Sequence, residues 1–280
     1  MSVVVFGASS QIGHFLLPRL RARGEPVLAL SRKQHASSPG VDWVKGELPA
    51  RLPSLGQPSA VVSFGPLLLL AQWLAATGLP PGTRVIATSS MSAESKQASD
   101  VPAERAVSQA LRDGEAALAE VCGKLGYLWT VFRPTLIYGA GLDKSLTPIA
   151  QRAMRTRVFP LPAGRGMRQP VHADDIAAAV VAAMDRPASA GHVLPLGGGE
   201  RLTAGEMFAR VRNSLPVPTV PVPIPAPLLR LSRRLVPRVR GPLTRLEANL
   251  IADNSELQRL LGLEQRPFRP DASCWVPPSA

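Results

Sequence analysis

Residues 2–13 have the sequence Ser2-Val-Val-Val-Phe6-Gly7-Ala-Ser-Ser-Gln-Ile-Gly13, an apolar run followed by a glycine-containing turn. The run predicts a strand that ends at Phe6, and the amphipathic residues after Gly13 predict a helix. Gly7 permits a tight turn, and Gly13 lets the helix pack close to its strand. The backbone N–H groups between the two glycines can then point at a phosphate. A turn of this kind that binds nothing is the alternative, but the strand before it and the helix after it favour a site for a dinucleotide diphosphate.

The second predicted strand, residues 26–31, ends in Ser31-Arg32-Lys33 where NAD-specific sites carry Asp or Glu. A carboxylate at this position binds the ribose 2′-hydroxyl and repels a 2′-phosphate, whereas a guanidinium forms charge-assisted hydrogen bonds with that phosphate. A solvated basic pair after a strand is the alternative reading. We therefore expect NADP(H) to be preferred over NAD(H).

The net charge of the 280-residue chain is +12, and 27 of its 32 basic residues are Arg. A general bias toward Arg explains this charge without a nucleic-acid partner. One local excess, Arg230–Arg245, contains six Arg and no acidic residue and is interleaved with Leu and Val. It predicts a helix with a solvated basic face, or a contact with an anionic membrane surface or a partner protein. Nucleic-acid contact is disfavoured because no aromatic stacking residues accompany the segment.

The two cysteines, Cys122 and Cys274, are far apart and lack metal-ligand spacing. They predict a reducing compartment, no disulfide framework and no metal site. Because the first predicted strand begins at residue 2, we expect no signal peptide before it. The uncharged stretch Leu52–Thr83 is cut by Pro and Gly into pieces too short to span a bilayer. We expect a cytoplasmic protein.

Strand-like apolar runs alternate with helical patterns through the first two thirds of the chain. This alternation predicts right-handed crossovers and a Rossmann-type α/β fold, with a doubly wound parallel sheet in which the first strand lies beside the fourth. Ligands bind beyond the carboxyl ends of such strands. The residues expected to bind the cofactor are Gly7, Ser9, Ser10, Gln11, Ile12, Gly13, Ser31, Arg32, Phe64, Gly65, Pro66, Thr88 and Pro134.

After Pro134 the alternation loosens. Asp174 and Asp175 predict the N-cap of a helix, and Thr203 predicts the start of another helix. We expect a further strand at residues 191–195. The last fifty residues are expected to be mostly helical. We predict an NADP-binding Rossmann domain formed by residues 1–139 and 170–197. The remaining segments, 140–169 and 198–280, are predicted to form a smaller substrate-binding lobe.

Taken together, these segments resemble the short-chain dehydrogenase/reductase superfamily, in particular its extended epimerase/dehydratase-like branch. The resemblance covers most of the chain. It rests on the glycine turn at 7–13, Thr88-Ser89-Ser90, Arg133-Pro-Thr-Leu-Ile-Tyr-Gly139 and Arg168-Gln-Pro-Val-His-Ala-Asp-Asp175. It implies that Pro134 packs near the nicotinamide. The residues expected at the substrate are Ser90, Tyr138 and Arg168.

The sequence departs from this superfamily at the catalytic pair, a Tyr-x-x-x-Lys on the helix after the fifth strand. In such enzymes the Tyr moves a proton while hydride moves to or from the nicotinamide. Counting back from Glu115 places Leu111 at the Lys position and Val107 at the Tyr position, and neither side chain transfers protons. The chain is in this respect an atypical member. The candidate replacement groups are Thr88, Ser89 and Lys96.

Two functions follow from these observations. The first is an NADP(H)-dependent oxidoreductase or epimerase-like enzyme that acts on a small polar or sugar-like substrate. The second is a protein that binds the dinucleotide without turning it over, such as a redox sensor, a structural subunit or an assembly factor. The missing Tyr and Lys favour the second, whereas the segments expected at the substrate favour the first.

Overall fold

The computed structural model describes residues 2–50, 52, 55–225 and 246–278. Its central feature is a sheet of seven parallel strands in the order β3-β2-β1-β4-β5-β6-β11. The strands are β1 (Val3–Phe6), β2 (Val27–Ser31), β3 (Val41–Lys45), β4 (Ala60–Ser63), β5 (Arg84–Thr88), β6 (Leu128–Pro134) and β11 (His192–Leu196). The first strand pairs with the fourth, as predicted, so the carboxyl ends of β1 and β4 meet at the centre of one edge. The predicted Rossmann-type fold is confirmed.

Helices cover both faces of this sheet. One face carries α1 (Gln11–Ala22) and α6 (Ala173–Asp185), and the other carries α2 (Leu67–Ala76) and α4 (Pro102–Leu125), preceded by the short α3 (Ser92–Ser95). Alternate residues of β1 point into the two layers, Val3 and Val5 toward α1, and Val4 and Phe6 toward α2. Because both faces are covered, the strands are almost continuously apolar instead of alternating with polar residues.

Smaller elements follow β6 and form three two-stranded sheets. These pair β7 (Ile137–Tyr138) with β10 (Val171–His172), β9 (Met167–Arg168) with β12 (Leu202–Thr203), and β8 (Val158–Pro162) with β13 (Val220–Ile224). Helices α5 (Thr147–Thr156) and α7 (Ala204–Asn213) pack with them around a third apolar cluster, which includes Tyr138, Phe159, Phe268 and Trp275. The division of the chain into two domains at the predicted boundaries stays a prediction.

The C-terminal residues differ from the sequence-based expectation. Of the last fifty residues, those described include two helical residues at 246–247, the helix α8 (Ser255–Leu261), a 3₁₀ turn at Ala272–Trp275 and a bridge from Leu250 to Arg168; most of the others are irregular. The prediction of mostly helix is wrong for these residues because their apolar side chains fill gaps in the core instead of lying along a helix face. The basic segment Arg230–Arg245 lies outside the described residues.

Two ion-paired aspartates connect this C-terminal part to the first helix. Arg266 binds both Asp174 (2.7 Å) and Asp175 (2.6 Å), while Arg19 of α1 binds Asp174 (2.7 Å). The N-cap of α6 is His172, whose Nδ1 accepts a hydrogen bond from the Asp174 backbone N–H (3.1 Å). The prediction that the two aspartates form the N-cap is therefore wrong, because their carboxylates bind the arginines.

Three consecutive glycines after β11 mark a place where backbones nearly touch. A Cβ at Gly198 would lie 2.0 Å from the Pro170 carbonyl oxygen, and a Cβ at Gly199 would lie 2.1 Å from that of Gln265. These glycines therefore permit close packing of three chain segments. In the part of the chain that the structure describes, no helix is long and apolar enough to cross a membrane.

Candidate functional site

The glycine turn after β1 has the geometry that the sequence predicts. Gly7 has φ of 72°, in the left-handed region that favours glycine. A Cβ at Gly13 would lie 2.0 Å from the Ala8 carbonyl oxygen, so α1 starts against the backbone of the turn. Ser10 caps the helix by accepting a hydrogen bond from the Gly13 N–H (3.2 Å). The first-turn amides of Gln11 and Ile12 have no partner one turn earlier within α1, as at any helix start, and can bind an anion.

The side chain of Gln11 is a further indication that the turn holds a ligand. Its Oε1 is buried and has no hydrogen-bond partner among the described residues. A buried, unpaired amide oxygen is costly, and a ligand or water donor would relieve that cost. The tight packing at Gly13, the amides at the start of α1 and this unpaired oxygen fit a bound dinucleotide, whose diphosphate Ser9–Gly13 would hold.

The end of β2 lies next to this turn. Ser31 Oγ is 3.3 Å from Ser9 Oγ, and it also accepts a hydrogen bond from the Lys33 backbone N–H (3.2 Å). The same oxygen is 3.1 Å from His35 Nε2, and the His35 ring packs on the ring of Trp43 with centroids 4.3 Å apart. Arg32 is exposed beside this group. Sequence reasoning found Ser31 and Arg32 but missed His35 and Trp43, whose contacts arise only when the loop after β2 folds back.

A cleft of about 1070 Å³ extends from the glycine turn along the carboxyl ends of β5 and β6. Six of the predicted site residues line it. They are Ser9, Ser10, Gln11, Ser90, Lys96 and Arg168. The lining also includes residues that the sequence analysis did not assign to the site. Among these are Ser92, Ser99, Asp143, Lys144, Met207, Phe208 and Asn249.

The hydroxyl-bearing residues after β5 are placed differently from one another. Ser90 lines the cleft, and its Oγ accepts a hydrogen bond from the Ser92 N–H (3.1 Å). Thr88 and Ser89 are not among the lining residues. Ser89 donates its N–H to the Phe132 carbonyl (2.7 Å), and its Oγ is buried without a hydrogen-bond partner in the described part of the chain. The catalytic roles of Thr88 and Ser89 stay predictions, and Ser90 is the hydroxyl that faces the cleft.

Lys96 and Glu104 bring opposite charges to the same wall of the cleft. Lys96 follows α3, and Glu104 lies in the first turn of α4. Ser99 Oγ donates a hydrogen bond to Glu104 Oε2 (2.7 Å), which holds the carboxylate at the cleft. Both side chains belong to types that transfer protons.

Helix α4 carries Val107 and Leu111 at the positions counted for the catalytic pair. Val107 is 45% exposed and Leu111 is half-buried. Farther along the helix, Glu115 is buried and forms a bidentate ion pair with Arg133 of β6 (Nε to Oε1, 2.8 Å). The hydrogen bonds that the Arg133 guanidinium donates to the Glu115 carboxylate raise the pKa of Arg133 above its ordinary value. This pair ties α4 to the sheet and so fixes which side chains α4 turns toward the strand ends.

Four further residues predicted to bind the cofactor also lie outside the cleft lining, three after β4 and one at the end of β6. Phe64, Gly65 and Pro66 follow β4 beside the glycine turn, and a Cβ at Gly7 would lie 3.3 Å from Phe64 Cβ. Pro134 is buried at the end of β6, immediately before Thr135, which does line the cleft. Their cofactor contacts stay predictions.

Tyr138 is buried in the third apolar cluster, with 1% of its surface exposed. Its ring contacts His172 (5.0 Å between centroids) and Phe268 (4.8 Å) edge-on. Burial raises the pKa of its hydroxyl well above the ordinary value. Tyr138 is not among the residues that line the cleft, and its expected contact with substrate stays a prediction.

Arg168 is also buried, yet it lines the cleft. Its Nη1 donates to the carbonyls of Met167 (2.8 Å) and Ala248 (2.6 Å), which fixes residues 248–250 at the cleft wall. Within the described ranges, no group of three or more His, Cys, Asp or Glu side chains is arranged to hold a metal ion.

Comparison with solved structures identifies the fold. The chain is similar to MoeE5 in complex with UDP-glucuronic acid and NAD, with a TM-score of 0.71, 17% identity and coverage of 98% of this chain and 97% of that one. The UDP-glucose 4-epimerase of Thermotoga maritima with UDP-glucose gives a TM-score of 0.72 at 17% identity, covering 99% and 97%. A short-chain dehydrogenase/reductase superfamily protein from Agrobacterium tumefaciens with bound NAD gives 0.66 at 16% identity, covering 95% and 92%.

No protein-family model matches the sequence, and no curated protein is significantly similar to it. The likeness is therefore one of fold. Over nearly its whole length, the chain has the fold of nucleotide-sugar epimerases and short-chain dehydrogenase/reductases, as its motifs predicted.

Proposed function

We propose that this chain, which has the fold of the extended short-chain dehydrogenase/reductases, is an NADP(H)-dependent oxidoreductase or epimerase-like enzyme. The observation that carries the proposal is one continuous cleft, which runs from the dinucleotide turn at Ser9–Gln11 to Arg168. Such a cleft brings a bound nicotinamide and a small substrate together beyond the strand ends. In this proposal the substrate lies between Ser90 and the segment that Arg168 fixes.

The lining of the cleft supports a polar, sugar-like substrate. Serine hydroxyls and two lysines supply hydrogen-bond donors, while Met207 and Phe208 supply an apolar surface. A site of this composition binds a ring that carries several hydroxyl groups. The structures to which the chain is similar include complexes with UDP-glucose and UDP-glucuronic acid, which supports a nucleotide-sugar-like substrate.

The cofactor is proposed to be NADP(H) in preference to NAD(H). Support comes from the end of β2, where Ser31 and the exposed Arg32 replace the carboxylate that binds a free 2′-hydroxyl. The MoeE5 and Agrobacterium structures contain NAD, so the proposed preference is argued from this chain's own residues alone. Bound NADP(H) would exchange hydride with the substrate carbon.

Hydride transfer to a carbonyl leaves an alkoxide, and this chain needs a group that supplies or removes the proton on that oxygen. Val107 and Leu111 cannot do this. We assign the role to Lys96, which lines the cleft, with the Ser90 hydroxyl as a hydrogen-bond donor to the same oxygen. Thr88 and Ser89, which lead into Ser90, remain candidates for that second role.

The test combines calorimetric titration with NADPH and NADH and a screen of sugar nucleotides and small carbonyl compounds, read by nicotinamide absorbance. We expect NADPH binding and turnover of at least one substrate. Lys96→Ala should lower kcat by about 10²–10⁴-fold, the usual contribution of a general acid or base. Thr88→Val, Ser89→Ala and Ser90→Ala test the hydroxyls in the same screen.

Lys124→Ala is the matched control, because Lys124 is exposed near the far end of α4 and pairs only locally with Glu120. Turnover that none of these four changes, at Thr88, Ser89, Ser90 and Lys96, reduces would overturn the assigned roles. Failure to bind either dinucleotide would overturn the proposed function. Tight NADPH binding with no turnover in the screen would favour a non-catalytic sensor, structural subunit or assembly factor.

A further inference from the structure

The loop after β2 folds back so that His35 meets the end of its own strand. Its Nε2 lies 3.1 Å from Ser31 Oγ, and its ring packs on Trp43 of β3 at 4.3 Å with an interplanar angle of 32°. Trp43 in turn packs against the apolar layer beneath α1. The imidazole is therefore held on two sides, by a ring and by a hydroxyl, before any ligand arrives.

This group lies beside the place where the fold would put the cofactor ribose. Ser31 Oγ is 3.3 Å from Ser9 Oγ, and Ser9 belongs to the turn that would hold the diphosphate. In a dinucleotide-binding fold, the ribose next to the adenine lies at the end of the second strand, and its 2′ position faces the residues found there. Because His35 contacts Ser31 at the end of this strand, it lies close to the expected 2′ position.

The charges around His35 suit an anion. Arg32 and Lys33 lie on the same loop, and Lys45, the register partner of Ser31 on β3, is exposed beside them. Two acidic residues are nearby. Asp42 is adjacent to Trp43 on β3, so its side chain points to the opposite face of the strand. Glu47 lies two residues beyond the strand. Three cations thus lie near the end of β2, and neither acid is at the end of that strand.

Hydrogen bonding at Ser31 defines what His35 can do. The Ser31 hydroxyl accepts from the Lys33 N–H at 3.2 Å. If His35 carries its proton on Nε2, the hydroxyl accepts a second hydrogen bond, and its own proton can only be donated, either to Ser9 Oγ at 3.3 Å or to a ligand atom that replaces this long contact. A phosphate oxygen only accepts hydrogen bonds, whereas a ribose hydroxyl both donates and accepts.

We propose that His35 is a positioning residue that selects the 2′-phosphate of NADP(H), by holding the Ser31 hydroxyl as a donor toward it. This inference rests on the NADP(H) preference in the proposed function. His35 would be a second determinant of selectivity for the 2′-phosphate, in addition to Arg32. It would act through Ser31, and its effect would depend on the imidazole N–H and not on the size of the ring.

The test uses two fragments that differ at the 2′ position, 2′,5′-ADP and 5′-AMP, titrated calorimetrically into the full chain. His35→Phe keeps a ring against Trp43 but removes the N–H. We expect it to weaken 2′,5′-ADP binding about tenfold, the effect of one lost hydrogen bond to a charged group, and to leave 5′-AMP binding unchanged. His35→Gln restores a donor and should recover part of the preference.

His192→Phe is the matched control, because His192 lies on β11 at the opposite edge of the sheet. Wild-type protein that binds the two fragments equally would contradict the NADP(H) preference itself. A wild-type preference that His35→Phe leaves intact, or equal loss of both fragments in that variant, would overturn only the role of His35. Thermal unfolding of each variant shows whether it is folded. If His35→Phe does not fold, binding of the two fragments by His35→Gln decides the role of His35.

Discussion

Adding a single methyl group at Gly13 is the sharpest test of the dinucleotide turn. The Cβ of Gly13→Ala would lie 2.0 Å from the Ala8 carbonyl oxygen, about 1.4 Å short of the 3.4 Å at which ordinary contact begins. The obstacle is backbone, so no side-chain rotation relieves it. The start of α1 has to move away from the turn.

The expected magnitude follows from that displacement. Overpacking costs about 1–3 kcal/mol, and we expect the upper end here because the clash is with the backbone. If the shift breaks one charge-assisted hydrogen bond from the α1 amides to the diphosphate, NADPH affinity should fall about 10–100-fold. Gly13→Val should act in the same direction and more strongly.

Urea unfolding and calorimetric titration with NADPH measure the two effects separately. The control is Gly123→Ala in α4, where a Cβ meets nothing within 4 Å. That change should stabilise the protein by about 0.5–1 kcal/mol, because alanine favours a helix interior over glycine, and should leave NADPH binding unaltered. A Gly13→Ala protein with wild-type urea midpoint and wild-type NADPH affinity would refute the reasoning.

Three further changes test the rest of the site. Arg32→Ala should weaken NADPH binding about 10–100-fold and leave NADH binding nearly unchanged, as measured by fluorescence titration; equal wild-type affinities for the two would contradict the prediction. Val107→Tyr combined with Leu111→Lys should raise turnover in the substrate screen if these are the positions of the catalytic pair, and unchanged turnover would argue against that register. Glu115→Gln should destabilise the fold by about 1–3 kcal/mol in urea unfolding, because Arg133 loses its buried, bidentate carboxylate and keeps only the more exposed Glu94 as an ion-pair partner among the described residues; an unshifted midpoint would show that the pair contributes little.

Local sequence patterns predicted the sheet and the turn well. The strands predicted at residues 2–6, 26–31 and 191–195 agree with β1, β2 and β11 to within one residue at each end. Gly7 and Gly13 predicted a tight turn that the structure contains. These features depend on residues close together in the chain. Thr203 is a further case, because it caps α7 in a capping box with Glu206, three residues later.

Features that depend on contacts between residues far apart in the chain could not be predicted from the sequence. Nothing in the pattern around Asp174 shows that Arg266 and Arg19 bind its carboxylate, which leaves capping to His172. His35 likewise follows a strand without any periodic signal, and only the folded loop brings it to Ser31. Tyr138 appeared to belong at the substrate because it follows a motif strand, but its ring turns into the apolar cluster.

The order of strands in the sheet has a consequence for how the protein forms during synthesis. β11 closes the sheet beside β6, and α6 covers α1, yet both come after the small sheets begin. The seven-stranded sheet therefore cannot be completed until residue 196 has been synthesised. Until then, the β6 edge is unpaired and the apolar layer on the α1 side lacks α6, and an exposed strand edge of this kind can pair with other chains.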